Sequence, residues 1–190
     1  MSPDEPLKSD HGGPAVRQLD ERGRHLTDKG RYEEAIAAFT EALALAPDEP
    51  DLLYNRGEAL RRAGRLDEAR FDLESVLRIE GESADLLLAM GLVAYESDDW
   101  DLAVASYDAA LALEPLSAEA WNDLGVVHFR RGSYGEARRA FEKAISIEAK
   151  HGEAWFNLHD TYDELGLSRE RDRAAATLKS LGIRPSGEGD

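Results

Sequence analysis

The chain contains no cysteine. Disulfides, thiol catalysis and cysteine-ligated zinc are therefore excluded within it. It is also short of positive charge, with 23 Lys and Arg against 39 Asp and Glu and a net charge of −16. That balance argues against nucleic acid, which is bound by neutralising phosphates, and against an anionic membrane surface. It suits a basic partner, which an acidic field attracts. No apolar run approaches the ~20 residues of a membrane-spanning helix, and no membrane insertion is expected. The opening MSPDEPLKSDHGGP lacks the apolar stretch of a signal peptide. The expected location is cytoplasmic.

Strand signals are missing as well. Val and Ile are sparse, and no segment alternates apolar and polar residues as a half-buried strand does. Catalytic signatures are equally scarce. There is no Gly-rich phosphate loop, no nucleophile elbow and no HExxH. The five histidines are scattered without metal-ligand spacing. The acidic run ESDDWD (residues 96–101) lacks the ligand pattern of a calcium loop. It reads instead as a turn followed by a helix N-terminus, where acids suit the dipole. No catalytic, cofactor-binding or metal residues are expected, and the chain is not expected to be an enzyme.

What the chain does have is an internal period. Gly23, Gly57, Gly91 and Gly125 recur every 34 residues, as do Ala35, Ala69, Ala103 and Ala137. Phe39, Leu73, Tyr107 and Phe141 keep the same spacing, and Trp121 is followed at that interval by Trp155. Five units result: 16–49, 50–83, 84–117, 118–151 and 152–185. Each holds two amphipathic helical patterns. Gly30, Gly64, Gly132 and Gly166 mark the turn within a unit, and Asp98 replaces that Gly in the third. Ser83 and Ser117 fit N-caps, and Ser133 with Glu136 has capping-box spacing. Trp121 and Trp155 read as one core position built twice, so Trp121→Ala is expected to cost stability.

These residues resemble the tetratricopeptide repeat, whose pattern is W-x2-L-G-x2-Y, then A-x3-F, A and P. The fourth unit supplies Trp121, Leu124, Gly125, His128, Ala137, Phe141 and Ala144. The resemblance implies an all-α, right-handed superhelical solenoid of antiparallel helix pairs, about ten helices in all. A single solenoid domain is expected over 15–182, between tails at 1–14 and 183–190. The fifth unit departs from the pattern at His159 and Arg171 and reads as a C-terminal cap with a polar outer face.

The resemblance further implies that first helices line a concave groove. The residues expected to meet a partner there are Tyr54, Asn55, Arg62, Leu88, Leu92, Tyr95, Asn122, Val126, Phe129, Arg130, Phe156 and Asn157. Helix 84–95 is apolar nearly all round, so Leu88, Leu92 and Tyr95 form a stripe beside its core face. The third unit has seven acidic residues and no Lys or Arg, whereas the fourth has five acidic and six basic. A protein or peptide partner with an apolar anchor and basic residues suits that distribution. The clamp by which some family members hold acidic chaperone tails is not matched. An asparagine ladder along the groove is matched at Asn55 and Asn157 and interrupted at Glu21, Ala89 and Asp123. The expected function is a protein-interaction scaffold or adaptor. Two alternatives stand beside it: self-assembly into a homo-oligomer, and a chaperone shielding an apolar segment of a partner.

Overall fold

A computed structural model describes residues 13–184. The tail expectations for 1–12 and 185–190 fall outside the described residues. Two compact units divide between Glu82 and Ser83, one residue before the boundary of the second and third repeats. The first holds α1 (Pro14–Asp28), α2 (Tyr32–Leu45), α3 (Pro50–Arg62) and α4 (Leu66–Glu80). The second holds α5 (Ala84–Glu96), α6 (Trp100–Leu113), α7 (Ala118–Arg130), α8 (Tyr134–Ile147), α9 (Gly152–Glu164) and α10 (Ser168–Ser180). No strand occurs among the described residues.

Each helix pair is closed by the same backbone device. The residue after the turn donates its N–H to a carbonyl five positions earlier: Arg31 to Leu26, Arg65 to Leu60, Asp99 to Ala94, Ser133 to His128 and Leu167 to Tyr162. This Schellman closure needs a left-handed residue between. Gly supplies it four times, and Asp98 supplies it at φ 57°. The turn thus survives the loss of its Gly, because a short polar side chain tolerates that region.

Caps follow the repeat with one exchange. Ser83 Oγ accepts from the N–H of Leu86, and Ser117 Oγ from that of Ala120. The third equivalent is His151, whose Nδ1 accepts from the N–H of Ala154. The capping box expected at Ser133 does not form, since its side chain makes no cap bond. Asp99, at the same repeat position, does cap α6 through the N–H of Leu102.

The core lies between the helices of each pair. A Cβ built on Gly23, Gly91 or Gly125 would lie 2.5–2.6 Å from the ring of Phe39, Tyr107 or Phe141 respectively. The missing methyl lets a buried ring cross the facing helix. In the second repeat Leu73 takes the ring's place, and a Cβ on Gly57 would meet it at 3.3 Å.

The two Trp residues do repeat one role, but at the edge of the core. Both are half-buried against it. Trp121 Nε1 donates to Pro115 O and Trp155 Nε1 to Ala149 O, each closing the loop six residues upstream. In α5 the buried set is Ala84, Leu86, Leu87, Gly91, Val93 and Ala94. Met90 is half-buried, while Leu86 and Val93 go inside.

The second repeat also holds a buried ion pair. Arg56 grips Asp72 with two bonds of 2.7 Å, Nε to Oδ2 and Nη2 to Oδ1. The Asp72 side chain is 1% exposed and that of Arg56 21%.

Candidate functional site

The twelve residues expected to line a groove divide between the two units. Tyr54, Asn55 and Arg62 lie on α3 of the first unit. Asn55 and Arg62 help line a pocket of about 510 Å³ with Glu21, Arg24, Glu58 and Phe39. Both arginines of its lining are paired with carboxylates. Arg24 pairs with Asp20, and both Arg61 and Arg62 bond Glu58. Burial pushes the Glu58 carboxyl up, but the bonds from Arg61 and Arg62 outweigh it and hold it below its ordinary value.

The other nine residues lie in the second unit, where α7 touches its neighbouring first helices α5 and α9. Leu88, Leu92 and Tyr95 on α5 are half-buried, so the apolar stripe is partly covered. Arg130 Nε donates to Tyr95 Oη at 3.2 Å. Phe129 packs edge-on against Tyr134, with ring centroids 5.2 Å apart.

Asn122, Val126, Phe156 and Asn157 come together in one open pocket of about 460 Å³ between α7 and α9. Asp123, Gly152, Glu153 and Ile183 complete its lining. Leu88, Leu92, Tyr95, Phe129 and Arg130 are not part of it. Ile183 is the residue that sequence reasoning placed in a tail. It follows Gly182 (φ 75°) and donates its N–H to Leu178 O, the same closure used between paired helices. An apolar residue directly after such a Gly was the available signal, since that position commonly packs back on its helix. Gly152 accommodates it, because a Cβ there would lie 2.4 Å from Ile183 Cδ1.

The asparagines are tied to polar side chains of the preceding first helix. Asn157 Nδ2 donates to Asn122 Oδ1 at 3.0 Å, and in the first unit Asn55 Nδ2 donates to Asp20 Oδ1 at 3.1 Å. Both bonds join a first helix to the residue 35 positions earlier. Asn122 is only 4% exposed. Its amide therefore serves as a tie between α7 and α9, although sequence reading placed it in the groove.

Asp123 occupies the ladder position of α7, and the residue 35 positions earlier is Leu88, which has no polar side-chain atom. Burial pushes the Asp123 carboxyl up to about 6, and repulsion from Glu119 and Glu153 adds to that. A weak 3.4 Å bond from Asn122 Nδ2 pulls the other way. With a folded pKa above the unfolded one, the native state holds this proton more tightly. Stability from Asp123 is thus full at low pH and falls as pH rises through about 4 to 6. Asp123→Asn is expected to exceed the parent in stability by roughly 1–3 kcal/mol near neutral pH, the gain shrinking toward about pH 4. Urea midpoints across that range check this. A gain independent of pH would contradict it.

Among the described residues, no three His, Cys, Asp or Glu side chains are grouped to hold a metal ion. No helix among them is long and apolar enough to cross a membrane.

Stacked helix pairs with one closure, one cap position and one Gly-on-ring contact define an all-α repeat solenoid, a class built for protein interaction. The chain belongs to the tetratricopeptide repeat family, whose profile matches residues 21–85 and 88–158. No curated protein matches it. Among solved structures it is similar to the MamA protein, at 25% identity and TM-score 0.72 over 88% of this chain and 90% of that one. It also resembles MamA residues 41–end from Desulfovibrio magneticus RS-1, at 19% identity and TM-score 0.75 over 90% and 94%. A third is YrrB, described as a TPR protein with an unusual peptide-binding site, at 21% identity and TM-score 0.68 over 86% and 84%. The likenesses at 19% and 21% identity speak to the fold alone.

Proposed function

We propose that the first helices of the second unit hold an extended or helical segment of a partner protein, so that the chain works as an interaction scaffold. The observation that carries this is the open pocket between α7 and α9, where apolar Val126, Phe156 and Ile183 stand beside polar and acidic groups. Pockets of that mixed character are what binding sites look like. Half-exposed Leu92 and Tyr95 on α5 extend the apolar contribution within the same unit. In the first unit, Tyr54, Asn55 and Arg62 on α3 are proposed as partner contacts of that unit by itself. A cytoplasmic adaptor role and an apolar anchor with basic neighbours in the partner belong to this reading.

The test is Leu92→Glu combined with Tyr95→Ala, checked for an intact fold by circular dichroism. A partner recovered with the parent chain should be lost with the variant. Undiminished binding by a folded variant would sink the proposal.

Self-association is a second reading with its own observation. Leu113 and Leu116 are 50% and 74% exposed on either side of Pro115, and exposed apolar clusters often mark interfaces. Light scattering over a range of concentrations reads it directly, since a mass that stays monomeric at all of them would overturn it.

A further inference from the structure

We propose that the pocket between α7 and α9 is a subsite for one cationic side chain, arginine or lysine, with Asp123 as its counter-ion. The inference rests on the groove reading above and specifies the partner chemistry at one point of it.

The first ground is the charge of the lining. It contains two carboxylates, Asp123 and Glu153, and no Lys, Arg or His. Arg184, beside Ile183 in sequence, is not part of it. The first unit's pocket provides the contrast, because Arg24 and Arg62 line it and Arg62 bonds its Glu58. There the protein has already supplied the cation, and here it has not.

The second ground is the position of Asp123. The ladder asparagines Asn55 and Asn157 each have a polar partner 35 residues earlier. Asp123 has Leu88 at that place. Its carboxylate is largely buried, with a weak bond from Asn122 and the charges of Glu119 and Glu153 nearby. Keeping an ionised acid there opposes folding at neutral pH. Acids maintained against stability in a cleft are characteristic of functional positions.

The third ground is shape. Arginine and lysine bury an aliphatic stem along apolar surface and present the charge at its end. Val126, Phe156 and Ile183 offer that surface beside Asp123. The volume of about 460 Å³ accommodates such a side chain and part of its backbone.

The probe is N-acetyl-arginine methylamide, with the citrulline analogue as its uncharged match. Each is titrated into the full chain at low salt and followed by amide NMR. Arginine should give saturable shifts at the Gly152 amide and the Asn122 and Asn157 side-chain amides. Citrulline should bind about tenfold more weakly, as should arginine to Asp123→Asn, because a charged partner is replaced by a neutral one. Glu136→Gln, outside the pocket, should leave binding unchanged. No saturable response to arginine, equal response to citrulline, or full affinity in Asp123→Asn would each overturn the subsite. If in addition a partner protein is lost on Leu92→Glu with Tyr95→Ala yet held by Asp123→Asn, the groove reading stands and the subsite alone has failed.

Discussion

Arg56→Ala is expected to destabilise the chain by about 3–5 kcal/mol, the usual cost of leaving a buried charge without its partner. Asp72 is fully enclosed, and both of its oxygens accept from Arg56. Removing the guanidinium leaves that carboxylate with no replacement for water. A loss of this size is a large share of the ~5–15 kcal/mol that holds a domain together. The pair itself is a substitute for ordinary packing. At the same two repeat positions the chain carries Met90 with Ser106, Leu124 with Ala140 and Leu158 with Ala174. Arg56→Leu with Asp72→Ala should therefore recover most of the loss, and replacing such pairs by apolar residues has gained ~1–4 kcal/mol elsewhere. Urea unfolding of the two single variants and the double variant gives the coupling. An unchanged midpoint for Arg56→Ala would refute the account.

Gly125→Ala is the second large effect, and its size is read against Gly57→Ala. Adding a methyl to an exposed helical Gly normally gains ~1 kcal/mol. At Gly125 the new Cβ would sit 2.5 Å from Phe141 Cε1, and the ring of Phe141 is fully buried with no space to retreat. Overpacking of that kind costs ~1–3 kcal/mol and occasionally more. At Gly57 the nearest atoms belong to the flexible end of Leu73, 3.3 and 3.4 Å away. The same substitution should be near neutral there, because the helix gain offsets the small adjustment. Phe141→Leu copies the second repeat's solution into the fourth. It should cost less in the Gly125→Ala background than alone, since the ring it removes is the one that clashes. Thermal melts of the four variants test this, and equal losses at Gly57 and Gly125 would count against the contact as the cause.

The candidate site was legible in part, for reasons visible in individual residues. Val126 and Phe156 could be placed in the groove because a 34-residue period fixes which helix faces are spoken for. Asp123 could be placed beside them, but the absence of a cation from its pocket could not be read, since that depends on which residues the neighbouring helices bring there. Asn122 illustrates the same limit. It reads as a groove residue by spacing, yet it is buried and bonded to Asn157. Ile183 was hidden because the repeat pattern ends before it, and only the notch at Gly152 shows where it goes.

By itself the sequence determined the helix pairs, their turns and the family. Those follow from local rules that recur along the chain: a left-handed turn residue in all five units, a capping side chain in three, and a Gly facing a large side chain in four. Tertiary structure decided which polar groups satisfy one another and which do not. Asp72 finds Arg56, Glu58 finds two arginines, and Asp123 finds only other carboxylates and a weak amide. Periodicity sets where a side chain lies along its own helix. Whether its charge is met is set by the neighbouring helices, and beside Asp123 α9 brings a further carboxylate, Glu153, and no cation into the pocket.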